Sequence, residues 1–148
     1  MTIVFFGHRD APDSVRPILR QTVLNLIETE GVTHFLVGNE GNFDRMVHGV
    51  LEEISRKNSF LQYDIVLAYL PRNESPLMQM ERTLYPEGLE CVPKRFAISK
   101  RNLWMLERSD FAVCYVSTTV GNSYRLMETA IRKGKRVLNL ANLTEKGS

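Results

Sequence analysis

The strongest constraint on this chain is a repeated unit: a short, mostly apolar run stopped by glycine or proline, followed by an amphipathic stripe at helical spacing. Thr2 to Phe6 is such a run, stopped by Gly7. His34 to Val37 is stopped by Gly38, Tyr63 to Leu70 by Pro71, and Phe111 to Val116 by a small polar loop. Arg136 to Leu140 is a fifth run. Runs without polar alternation are strands buried on both faces. Between them Val15, Ile18, Leu19, Val23, Leu26 and Ile27 recur at helical spacing up to Gly31, with Asp13 or Ser14 as candidate cap. Phe43, Met46, Val47, Val50, Leu51 and Ile54 form the cleanest stripe in the chain. Ser99 is placed to cap a helix over 100–108, and Tyr124 to Lys133 reads as a helix ended by Gly134. Residues 71–97 hold four prolines, with room for a short helix from Met78 to Leu84.

Strands alternating with helices predict an α/β fold: a three-layer sandwich around a mostly parallel sheet of about five strands. A length of 148 residues fits one domain, taken as 1–143, with 144–148 a frayed tail. No apolar run is long enough to span a membrane, and the N-terminus lacks a signal-peptide pattern, so a cytoplasmic protein is expected. Two cysteines cannot form a disulfide framework or a four-cysteine zinc site.

The net charge of +2 averages two unlike halves. Residues 1–74 carry −3 and residues 75–148 carry +5, with clusters at Lys94, Arg95, Lys100 and Arg101 and at Arg132, Lys133, Lys135 and Arg136. The second cluster ends a predicted helix, where the dipole favours cations. The balance argues against nucleic acid as partner and suits a small phosphorylated ligand.

In parallel sheets ligands bind beyond the carboxyl ends of the strands, and three strand-end loops carry the unusual residues. Gly7-His8-Arg9 combines a tight turn with an anion-binding fork; its bland reading is an exposed turn with a structural arginine pair. Gly38-Asn39-Glu40-Gly41-Asn42-Phe43-Asp44 runs into the strongest helix and could form an anion nest. It is neither a Walker A loop nor a GxGxxG fingerprint. Asp44 could cap the helix, hold a ribose hydroxyl, or do both. Ser117 to Ser123, with Gly121 and Asn122, is a third small polar loop at a helix start whose amides and hydroxyls could hold a second phosphate or a ribose, and Glu128 lies one turn further on. A solvated helix face is the bland alternative for Glu128.

Other candidates weigh less. Asp44, His48 and Glu52 share a helix face at metal-ligand spacing, but a solvated face is the simpler reading. His34 reads as structural, Cys114 as buried and inert, and Cys91 as lacking an activating neighbour. Trp104 reads as core or interface. Neither a metal nor a cofactor is called for, and no nucleophile elbow occurs.

The order of these motifs resembles that of the SLOG superfamily, a Rossmann-like group that includes the LOG phosphoribohydrolases, and a small stand-alone bacterial branch of it in particular. The likeness runs through Gly7, His8 and Arg9, then Gly38, Gly41, Phe43 and Asp44. It continues through Pro93, Lys94, Arg95, Arg101, Asn102, Ser109 and Asp110, and closes on Tyr115, Val116, Gly121, Gly134, Lys135, Val137, Asn139 and Leu140. It spans nearly the whole chain. The resemblance implies a Rossmann-like fold that binds a nucleotide or a NAD- or ADP-ribose-related derivative, and association into homo-oligomers. The implied ligand-binding set is Gly7, His8, Arg9, Gly38, Asn39, Gly41, Phe43, Asp44, Arg95, Arg101, Ser117, Gly121, Asn122 and Ser123. LOG-like cleavage of a nucleoside monophosphate at its N-glycosidic bond is the alternative, with Glu128 or Glu40 as the catalytic carboxylate. The chain departs from the hydrolase motif: two of its glycines are missing at Val120-Gly121-Asn122-Ser123, and Glu128 is displaced.

Overall fold

A computed structural model describes residues 1–70 and 82–146. The strands are β1 (Thr2–Gly7), β2 (His34–Val37), β3 (Gln62–Val66), β4 (Thr83–Leu84), β5 (Phe111–Tyr115) and β6 (Arg136–Asn139). The helices are α1 (Arg16–Glu30), α2 (Gly41–Lys57), α3 (Lys94–Glu107), α4 (Asn122–Arg132) and α5 (Leu140–Lys146). The six strands form one parallel sheet in the order β4-β3-β2-β1-β5-β6. The fold is the expected Rossmann-like α/β sandwich. No described helix is long and apolar enough to cross a membrane.

Side chains alternate across β1 and divide the core in two. Ile3 and Phe5 pack with Leu19 and Val23 of α1, Val47 and Leu51 of α2, and Leu140 of α5. Val4 and Phe6 pack with Met105 and Leu106 of α3 and Leu126 and Ala130 of α4. The stripe of α2 is buried at each of its six predicted positions. Complete burial of residues this size stabilises by about 1.5–3 kcal/mol each.

Several elements differ from expectation, each for a physical reason. β3 ends at Val66 and not at Leu70, because its pairing with β2 stops at Val37↔Ile65, and Leu70 is exposed. The sheet gains a two-residue strand, Thr83–Leu84, where the end of a short helix is expected; residues 78–81 of that helix lie outside the described residues. α3 starts at Lys94, a full turn before Ser99, with extended Pro93 setting its entry. Its buried stripe is Ala97, Arg101, Met105 and Leu106, and a charge inside that stripe hides it from a hydrophobicity pattern. α1 begins at Arg16 after a 3-10 turn, with no capping bond from Asp13 or Ser14. Asp13 instead accepts a 2.9 Å bond from Asn42 Nδ2 of α2. β6 stops at Asn139, and the chain continues as α5 through Lys146, so the expected tail is helical to that point.

Candidate functional site

The strand order reverses direction between β1 and β5, and the loops after β1, β2 and β5 diverge there. They enclose a crevice of about 280 Å³ lined by Gly7, His8, Arg9, Asp10, Gly38, Glu40, Asp44, Asn122 and Ser123. α3 closes one side with Ile98, Arg101, Asn102 and Met105, and Phe5 and Phe6 complete the lining. The volume sits at the small end of the range for small-molecule sites.

The loops after β1 and β2 are knitted together. Gly41 has φ +90°, and a Cβ on it would lie 2.6 Å from the Arg9 Cα. A Cβ on Gly7 would lie 2.6 Å from the Phe43 ring. The N–H of Asn42 donates to the Arg9 carbonyl at 2.8 Å, and its Nδ2 donates to the Ala11 carbonyl at 2.7 Å. The N–H of Glu40 donates to Asp44 Oδ2 at 2.9 Å. Asp44 thus reaches back to the residue that precedes its helix, and two of the amides expected to form an anion nest there, those of Glu40 and Asn42, are taken.

The loop after β5 is open. Gly121 precedes α4 at φ +99°, a Cβ on it would meet nothing within 4 Å, and no side chain caps the helix. The first backbone bond of α4 is from the N–H of Arg125 to the Gly121 carbonyl. Among the described residues no backbone acceptor meets the N–H groups of Asn122 and Ser123, both of which line the crevice. Such amides, with the helix dipole behind them, favour an anion. His8 ties this loop to the first one: its Nε2 accepts the N–H of Ser117 at 2.9 Å, and its backbone N–H donates to the Tyr115 carbonyl at 3.2 Å. Accepting at Nε2 assigns the proton of the neutral ring to Nδ1. Asn139 pins the adjoining strand end, with Oδ1 and Nδ2 bonded to the N–H and carbonyl of Val116.

The floor of the crevice is charged. Arg101 is 2% exposed, donating from Nη1 to the Val66 carbonyl at 2.9 Å and from Nε to Asn102 Oδ1 at 2.9 Å. Asp44 is also buried, and burial pushes its carboxyl up to about 6, against the opposing pull of the Glu40 amide and of Arg101. At the rim Arg9, 67% exposed, pairs with Glu40 at 3.3 Å.

Nine of the expected residues thus meet in one crevice: Gly7, His8, Arg9, Gly38, Glu40, Asp44, Arg101, Asn122 and Ser123. Gly41 and Phe43 lie beneath it as packing. Ser117 and Gly121 shape the third loop without lining the crevice. Asn39 is outside the lining, and its buried Oδ1 has no hydrogen-bond partner among the described residues. Arg95 is turned over the Phe96 ring at 4.8 Å. Glu128 is engaged by the Tyr124 hydroxyl and does not line the crevice. Asp10 and Asn102 belong to the lining although the sequence pattern does not place them in the site; each is the direct neighbour of a residue that it does place there.

The remaining titratable clusters are structural. His48 donates from Nε2 to the Gly38 carbonyl at 2.7 Å, and Glu52 pairs with Arg56 at 2.7 Å. Among the described residues no group of three or more His, Cys, Asp or Glu side chains could hold a metal. His34 bonds Asp64 at 2.9 Å at the opposite end of the sheet. Burial pushes the Cys114 thiol up to about 12.

No protein-family model and no curated protein matches the sequence.

Proposed function

We propose that this chain binds a nucleotide or nucleotide derivative in the crevice at the carboxyl ends of β1, β2 and β5, as a ligand-binding or sensing protein. One observation carries the reading: a single crevice offers uncapped α4 amides at Asn122 and Ser123 and, in the same lining, the carboxylates of Asp44 and Glu40. Amides at a helix N-terminus suit a phosphate, which only accepts hydrogen bonds. Carboxylates suit sugar hydroxyls, which donate. Arg9 at the rim adds an exposed cation for the phosphate. The reading agrees with what the SLOG resemblance implies, and of the two loops expected to cradle phosphate, at Gly38–Gly41 and near Gly121, it keeps the one at the start of α4. Calorimetry with AMP, ADP-ribose and NAD at millimolar concentration tests it. A saturable heat for at least one is expected, weakened about ten-fold in Arg9→Ala. No heat with any of them contradicts it.

A second reading, N-glycosidic hydrolysis of a nucleoside monophosphate, is favoured by the two unlike carboxyls in the crevice. Asp44 is pushed up to about 6 by burial, while Glu40 sits at the rim beside Arg9. Such a divided pair can supply an acid and a stabilising charge. Chromatography for free base released from AMP, lost in Glu40→Gln, decides between a binder and a hydrolase.

A further inference from the structure

Gly38 is the smallest residue at the most highly charged point of the crevice. A Cβ placed on it would lie 2.7 Å from Arg101 Nη1 and 2.9 Å from Asp44 Oδ2. The two side chains therefore face one another across the space above the Gly38 Cα, no more than about two hydrogen-bond lengths apart. They are nevertheless not in ion-pair contact: the described salt bridges of the crevice stop at Arg9 and Glu40. Among the described residues Arg101 Nη2 makes no hydrogen bond, although the residue is 2% exposed. The Nη2 donor is not among the fully buried unpartnered atoms, so it is open to an acceptor in the crevice that Arg101 lines.

The group that fits between a guanidinium and a carboxylate is narrowly defined. It must accept from the first and donate to the second through one atom. A phosphate oxygen accepts but cannot donate, and it would be repelled by Asp44 and Glu40. An ammonium group donates but cannot accept. A hydroxyl does both.

We infer that the crevice floor is a hydroxyl-reading subsite, in which one sugar oxygen of the ligand lies between the two side chains, accepts from Arg101 and donates to Asp44. The subsite rests on the nucleotide-binding reading and narrows it: the ligand is a ribosyl compound, discriminated from a deoxyribosyl one. Glycine is required at position 38 because a Cβ there would lie 2.7 Å from the Arg101 guanidinium and 2.9 Å from Asp44 Oδ2 and would push the two side chains out of place. Asp44 is required as an acceptor, and Arg101, held by Val66 and Asn102, positions the donor.

Calorimetry with AMP and with its 2′-deoxy and 3′-deoxy forms tests this on the intact chain. One of the two deoxy forms should bind at least about ten-fold more weakly than AMP, the loss expected when a charged hydrogen-bond partner is left without its hydroxyl. In Asp44→Asn the AMP-to-deoxy ratio should fall to within about three-fold of one, because the charged acceptor is gone. Gly38→Ala should lose AMP binding, and the comparison of ligands on the unaltered protein stands even if that variant does not fold. Equal binding of all three ligands overturns the hydroxyl subsite and leaves the nucleotide-binding reading intact. Binding of none overturns both. A crystal structure with the AMP phosphate between Arg101 and Asp44 would overturn the subsite alone.

Discussion

The loops that open α2 and α4 look alike in the sequence and do opposite work. Each follows a buried strand, contains glycine, and leads into an amphipathic helix. At α2 the glycines are occupied by packing: Gly38 lies against Arg101 and Asp44, Gly41 against Arg9, and two of the helix-start amides, those of Glu40 and Asn42, are taken by Asp44 and the Arg9 carbonyl. At α4 Gly121 has open space beside it, and Asn122 and Ser123 present uncapped amides to the crevice. A helix N-terminus is an anion site only when its own chain has not already used its donors. The α2 loop is the packed wall of the crevice, and the α4 loop is the end at which uncapped amides face it.

Alanine substitution should separate the two loops. Gly41→Ala combines a left-handed backbone with a Cβ 2.6 Å from the Arg9 Cα, and should cost about 3 kcal/mol or more in urea denaturation. Gly121→Ala has a backbone penalty at φ +99° and ψ 174° but no clash, so about 1.5 kcal/mol is expected. Equal losses at the two positions would remove the distinction.

Asp44→Asn comes between them, with the opposite sign. Its carboxyl is raised from 3.8 to about 6 by burial. The folded state therefore holds a proton that the unfolded state has released across that window. Stability contributed by this group is present at pH below about 4 and is lost as pH rises to about 6. Ionised Asp44 faces Arg101 and Arg9, which favour its charge, and Glu40, which opposes it. Asn keeps an acceptor for the Glu40 amide without the buried charge. The variant should be more stable at pH 7.5 by about 2 kcal/mol, with the advantage vanishing toward pH 4 in thermal melts. A destabilised variant at pH 7.5 would mean that the carboxylate is held for packing rather than for a ligand. The smallest effect is expected for Asn42→Ala. It loses the bonds to Ala11 and Asp13 that tie α2 to the first loop, and should cost about 1 kcal/mol.

Much of the fold is legible because burial on both faces leaves a continuous apolar run, as in β1 and β5, and because the α2 stripe has no interruption. The start of α3 is not legible, since Arg101 sits where an apolar residue would mark the stripe. β4 is not either, because two residues carry no period. The crevice is legible as three glycine loops after strands. Its division of labour is not, because whether an amide is spent depends on contacts from distant segments, such as Arg9 with Asn42 and His8 with Ser117. The same holds for Glu128: it lies one turn into α4, close to the third loop in sequence, but its partner is Tyr124.

A nucleotide phosphate seated at the start of α4, and not at the start of α2, is the claim on which the other assignments depend. Titrating AMP into nitrogen-15-labelled protein and following backbone amide shifts tests it most directly. Saturable shifts should be largest at Asn122 and Ser123, with smaller ones at Arg9 and Gly38 and little change at Asn42. Largest shifts at Gly41 and Asn42, or none in the crevice at saturating AMP, would contradict it.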